Sequence, residues 1–139
     1  MTTYAHVQSS SVIRSPFGVQ ISWVLTAAFT LSVVHTVYSY LVGIEDPRFT
    51  VTTPVAYVFY AVGFASAWLA RRPEGWARWT LLGYLAVLLV VSVFFYPTTF
   101  RVDQQTTFGW FENDVYTGLL MIATYLAVLG LAGPRRVER

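Results

Sequence analysis

Cysteine and lysine are both absent from the 139 residues. Without a thiol the chain has no disulfide, no thiolate nucleophile and no thiolate metal site. All nine basic residues are therefore arginine, a bias we read as the mark of a GC-rich bacterial genome rather than as chemistry. Charge of either sign is scarce. Only 12% of residues are charged, against about 25% in a soluble globular domain. The formal charge is +2, and no basic run is dense enough to argue for nucleic acid as a partner. The two histidines, His6 and His35, are too few for a zinc site of the usual kind. Only His35 lies in an apolar stretch, so one chain cannot hold a haem between two intramembrane imidazoles. There is no glycine-rich phosphate loop, no HExxH and no GxSxG. No cofactor and no metal are expected.

Apolar residues are abundant, at 55% of the chain. Four long stretches begin near Val19, Pro54, Ala77 and Asp114 and end near Ile44, Ala70, Tyr96 and Ala132. A helix rises about 1.5 Å per residue and the hydrocarbon slab is about 30 Å thick, so about 20 residues cross it. The expected fold is all-α: a polytopic membrane protein in which residues 1–139 form one four-transmembrane-helix bundle, with spans at about 19–44, 54–70, 77–96 and 114–132. The first run is too long for the apolar core of a cleavable signal and is followed by Glu45-Asp46-Pro47, so it reads as a retained span.

Arginine sorts by loop. Arg14 precedes the first span, Arg71, Arg72 and Arg78 surround the second connection, and Arg135, Arg136 and Arg139 lie in the tail. The other two connections lean acidic, with Glu45 and Asp46 in the first and Asp103, Glu112 and Asp114 in the third. Short arginine-rich loops stay cytoplasmic. Both termini are therefore expected inside, in a multi-pass protein of a bacterial plasma (inner) membrane. Ser15-Pro16 and Thr53-Pro54 read as helix starts, Pro97 as the close of the third span and Gly133-Pro134 as the close of the fourth. Trp23, Trp68, Trp76 and Trp79 fall at the expected inner interface and Trp110 at the outer one, the depth that amphipathic rings prefer. The long connection from Pro97 to Asn113 carries Phe100, Phe108, Trp110 and Phe111. It would lie on the outer membrane surface, as an anchor or as a cover. No repeat at solenoid spacing is visible, and an inverted repeat would require a second copy of the chain.

The first span carries Ser32, His35, Thr36 and Ser39 at spacings of three and four, which stack on one helical face. Ionisable residues at membrane depth usually face the bundle interior, as a packing hydrogen bond or as a site. The fourth span begins with acids that suit a helix N-terminus, and its inward face would run Asp114, Thr117, Gly118, Met121, Tyr125. Gly118 reads as a close-packing position, and Ala61, Gly63, Ala65 and Ala67 read as a helix contact on the second span. Tyr60 would point inward, and Ser92 and Tyr96 approach the outer end of the third span. His35, Ser39, Tyr60, Ser92, Asp114 and Thr117 would then line one pocket opening to the outer leaflet.

Three functions compete. The bundle binds a lipophilic ligand or serves as accessory subunit of a larger membrane complex. It is a membrane-embedded enzyme acting on a lipid or isoprenoid, with His35 and Asp114 as acid–base pair. Or it is a small oligomeric transporter, which requires a polar track through inner halves that offer only Thr26, Thr30, Ser66 and Thr80. Membrane lipid is the partner expected of every outer face; a protein partner or a second copy stays open.

Overall fold

Among the described residues four main helices pack together, three of them long and apolar enough to cross a membrane. The computed structural model describes residues 16–99 and 106–132. His6, Arg14, Ser15, Phe100, Arg101, Asp103 and the tail from Gly133 lie outside the described residues. The helices are α1 (Pro16–Leu41), α2 (Pro54–Leu69), α3 (Gly75–Val90) and α5 (Thr107–Ala132). Between the last two, α3 runs on through a π-helical stretch, Val91–Phe95, into a single turn, α4 (Tyr96–Thr99). This is an all-α four-helix bundle embedded in a membrane. The surface bears the aliphatic side chains expected of a lipid-facing one: Val34, Val37, Val58, Val62, Val87, Val90, Ile122 and Val128 are all exposed. The tryptophans Trp23, Trp68, Trp76 and Trp79 are exposed at one end and Trp110 at the other.

We call the end that carries Arg71, Arg72 and Arg78 the arginine end, and the end that carries Glu45 and Asp46 the acidic end. α1 lies along α5 and α2, while α3 leans on α5 and more lightly on α2. Successive helices run antiparallel. Gly18 of α1 meets the Ala70 carbonyl, where a Cβ would come within 2.5 Å of that oxygen, and Phe29 lies against Gly63. Thr36 reaches Tyr60 further along. Small residues let membrane helices approach closely. Gly63 and Ala67 face the contact, whereas Ala61 and Ala65 are exposed.

The core near the arginine end is aliphatic. Leu25, Ala28, Phe29, Leu85, Leu120 and Ala123 are completely or almost completely buried. Hydroxyls in this half bond their own helices: Thr26 donates to the Ser22 carbonyl at 2.8 Å, Ser66 to that of Gly63 at 2.6 Å and Thr124 to that of Leu120 at 2.8 Å. Such bonds satisfy a polar side chain where no water can. Arg71 Nε donates to the buried Ser22 Oγ at 2.8 Å, and the Arg72 guanidinium lies 4.0 Å from the Trp68 ring centre.

α2 is the short member. Its 16 residues extend about 24 Å, less than the roughly 30 Å of the hydrocarbon slab. At the acidic end the chain makes up the difference with a folded connection. α1 closes with Gly43 at φ +71°, where the Ile44 N–H returns to the Ser39 carbonyl at 3.0 Å. That left-handed position is what a glycine supplies after a helix. Arg48 N–H then donates to Asp46 Oδ1 at 2.8 Å and Phe49 N–H to the Asp46 carbonyl at 2.9 Å. Thr50, buried, bonds Glu45 through its hydroxyl. Phe49 tucks inward until its ring sits 5.4 Å from Phe59 and 5.9 Å from Tyr60. Tyr60 is six residues, or about 9 Å, inside the start of α2.

Two boundaries differ from expectation. Pro97 does not end the third helix. Its ring offers no N–H to the Val93 carbonyl and crowds it, and the backbone widens into the π-helical stretch before resuming. The last helix starts seven residues before Asp114. Thr106 caps it, accepting the Gly109 N–H on Oγ1 at 3.1 Å, so Glu112-Asn113-Asp114 lies inside the helix.

Candidate functional site

The earlier start of α5 brings a different carboxylate inward. The buried face of α5 is Gly109, Glu112, Tyr116, Leu120, Ala123 and Ala127. Glu112 is only 4% exposed, and its Oε2 stands 3.6 Å from His35 Nδ1. Asp114 is two residues further on, about 200° around the helix, and is exposed. The pairing of His35 with Asp114 is corrected to His35 with Glu112. The inward face expected for this helix shifts with it, since Met121 and Tyr125 are exposed and a Cβ at Gly118 would meet nothing within 4 Å.

Phe108, one turn before Glu112, stacks on the imidazole with ring centres 5.7 Å apart and planes 16° from parallel. Tyr38 meets the same ring edge-on at 5.0 Å. These contacts hold the His35 ring between α1 and the first turn of α5. Ser32, one turn before His35, lies beside the Glu112 carboxyl. Tyr60 secures the α1–α2 side: its hydroxyl is 2.5 Å from Thr36 Oγ1 and donates to the Ser32 carbonyl at 3.0 Å.

Around the pair the bundle leaves a cavity of about 690 Å³, within the roughly 300–1,000 Å³ of small-molecule sites. One wall is the α1 stripe Ser32, His35, Thr36 and Ser39; another is α5 with Glu112, Asn113 and Tyr116; α3 and its π-helical continuation supply Leu88, Val91, Ser92 and Tyr96. The α1–α2 connection covers it with Ile44, Glu45, Asp46, Pro47 and Phe49. Residues four apart overshoot a turn of α-helix by about 40°. The wider π turn absorbs that excess and keeps Leu88, Ser92 and Tyr96 facing one space. Local π-helix is often found at functional sites. Beneath lies Phe29, fully buried, with ring centres 6.0 Å from Tyr116 and 5.7 Å from Phe59.

Of the residues singled out from sequence, His35, Ser39 and Ser92 line this cavity. Tyr60 lies just behind the wall and braces it. Asp114 and Thr117 are not among its lining residues, and the Thr117 hydroxyl is buried without a partner among the described residues. Glu112, Tyr116, Phe108 and the covering connection were not anticipated as site residues. A signal for Glu112 was present: with Tyr116, Leu120, Ala123 and Ala127 it forms a stripe of threes and fours.

A carboxylate and an imidazole side by side can share one proton and present a neutral sum to a low-dielectric interior, which tolerates a pair far better than a lone charge. At 3.6 Å their contact is longer than a hydrogen bond. His35 Nδ1 and the Tyr116 hydroxyl are both buried without a hydrogen-bond partner among the described residues, although both residues line the cavity. An imidazole beside a carboxyl group is the chemistry of a proton donor and acceptor. Among the described residues no three histidine or acidic side chains converge as metal ligands. Compared with protein-family models, curated proteins and solved structures, the chain matches none.

Proposed function

We propose that the protein is a membrane-embedded binding protein whose cavity at the acidic end holds an amphiphilic ligand, its polar part against His35 and Glu112 and its apolar part against Phe59, Leu88 and Val91. The observation that carries this reading is the unfilled volume of about 690 Å³ around a buried His35–Glu112 pair. Buried polar groups are normally satisfied, and a bound polar group would satisfy His35 Nδ1 and Tyr116. The close-packed aliphatic half below Phe29 speaks for a one-sided pocket and against a conduit. Following the arginine distribution, we place the acidic end on the outer side of a plasma membrane and both termini in the cytoplasm. The wide exposed aliphatic faces suit lipid and, for an accessory subunit, a larger membrane partner.

Gentle solubilisation followed by native mass spectrometry tests the binding reading. The wild-type protein is expected to carry a retained amphiphile that Glu112→Ala loses. A protein that retains nothing and takes up no added amphiphile contradicts it. A second reading, an acid–base enzyme acting on such a ligand, is favoured by the contact between His35 and Glu112, two groups of complementary protonation facing the same space. Chemical conversion of the retained amphiphile by wild type, abolished in His35→Gln, would select it over binding alone.

A further inference from the structure

We infer that the cavity at the acidic end is built for an organic ammonium group carried on an apolar chain. The inference rests on the reading of that cavity as a ligand site. Three carboxylates line it, Glu45, Asp46 and Glu112, and among the described residues no arginine does. Arg48, in the covering connection, is exposed and contributes its backbone N–H to Asp46. His35 is the one basic side chain in the lining, and it is matched by Glu112. Glu45 and Asp46 then place negative charge at the mouth, hydrogen-bonded but in no ion pair among the described residues. A cleft lined by one sign of charge, with low-dielectric walls, concentrates ions of the other sign.

The walls have the matching character. Phe49, Phe59, Tyr96 and Tyr116 all line the cavity, and the face of an aromatic ring attracts a cation. Among the described residues the acids do not converge into a set of three that could grip a metal ion. Dispersed carboxylates with interleaved rings suit a bulky, diffuse cation better than a compact divalent one. Tyr116 is 8% exposed and lines the cavity, and its buried hydroxyl has no hydrogen-bond partner among the described residues. Leu88 and Val91 extend the space along α3 with apolar surface for the chain of such an amphiphile.

Native mass spectrometric titration in a neutral maltoside detergent tests this, using probes of one chain length and different heads. Dodecyltrimethylammonium is expected to bind at least about tenfold more tightly than dodecylphosphocholine or dodecyl phosphate. Glu112→Gln, or Asp46→Asn on the exposed connection should the buried variant fail to fold, is expected to remove most of that preference. Displacement of the tailed cation by tetramethylammonium at similar concentration would assign the site to a free ammonium compound; failure to displace assigns it to an ammonium lipid. Equal binding of all three heads overturns the inference while leaving the cavity a ligand site. Binding of none overturns the binding reading as well.

Discussion

Below Phe29 the four helices close on Leu25, Leu85, Leu120 and Ala123, with the Thr26, Ser66 and Thr124 hydroxyls returned to their own backbone and the Ser22 hydroxyl accepting from Arg71. Above it the same four helices leave about 690 Å³ and aim an imidazole, a carboxylate and several hydroxyls into it. The crevice beside Arg71 and Arg78 at the far end measures only about 40 Å³. The two halves share connectivity and solvent and differ in three local features. α2 stops short, the connection after α1 turns inward on Phe49, and α3 widens at Pro97. All three lie at the acidic end, around the cavity. Stability is therefore expected to reside in one half and ligand chemistry in the other.

The comparison breaks most readily at the plate between the halves. Phe29→Ala is expected to cost about 3–5 kcal/mol, the usual range for losing a fully buried ring, read from chemical unfolding in detergent. It should also join the cavity to the core below. Gly63→Ala pushes a methyl into the Phe29 ring and is expected to cost about 1–3 kcal/mol through overpacking. Gly118→Ala, whose methyl meets open space, should be neutral or stabilise by up to about 1 kcal/mol through helix propensity. If the two glycine variants behave alike, the helix contacts are not as described. Tyr60→Phe removes hydrogen bonds that tie α2 to Ser32 and Thr36 and should cost about 1 kcal/mol, with a measurable loss of retained ligand because the wall is loosened. Asp114→Asn should change stability by less than about 0.5 kcal/mol and leave ligand retention untouched.

The closed half was far more legible in the sequence than the open one. Length and apolarity locate four helices, because those properties are set by the solvent rather than by neighbours. Gly63, Ala67 and the α1 stripe carrying His35 were visible as periodic patterns. The partner of His35 was not. Glu112-Asn113-Asp114 looks like an acidic helix start, and that boundary turns the wrong carboxylate inward. Thr106, the residue that caps α5, was not read as a helix start. The cover over the cavity was out of reach for a different reason. Glu45 and Asp46 read as an ordinary acidic loop until the shortness of α2 and the docking of Phe49 on Phe59 and Tyr60 draw them inward, and both depend on tertiary packing. Pro97 was noticed, but as a terminator. A proline near a helix end permits either a stop or a widened turn, and the choice depends on what packs beside it.

A double-mutant cycle on His35→Gln and Glu112→Gln tests the central claim, that α1 and α5 bring these two side chains into contact inside the bundle. Unfolding free energies of the wild type, both single variants and the double variant should yield a coupling of about 1 kcal/mol or more, whereas His35→Gln combined with Asp114→Asn should be additive within about 0.5 kcal/mol. Additivity of the first pair, or coupling of the second, would contradict the account.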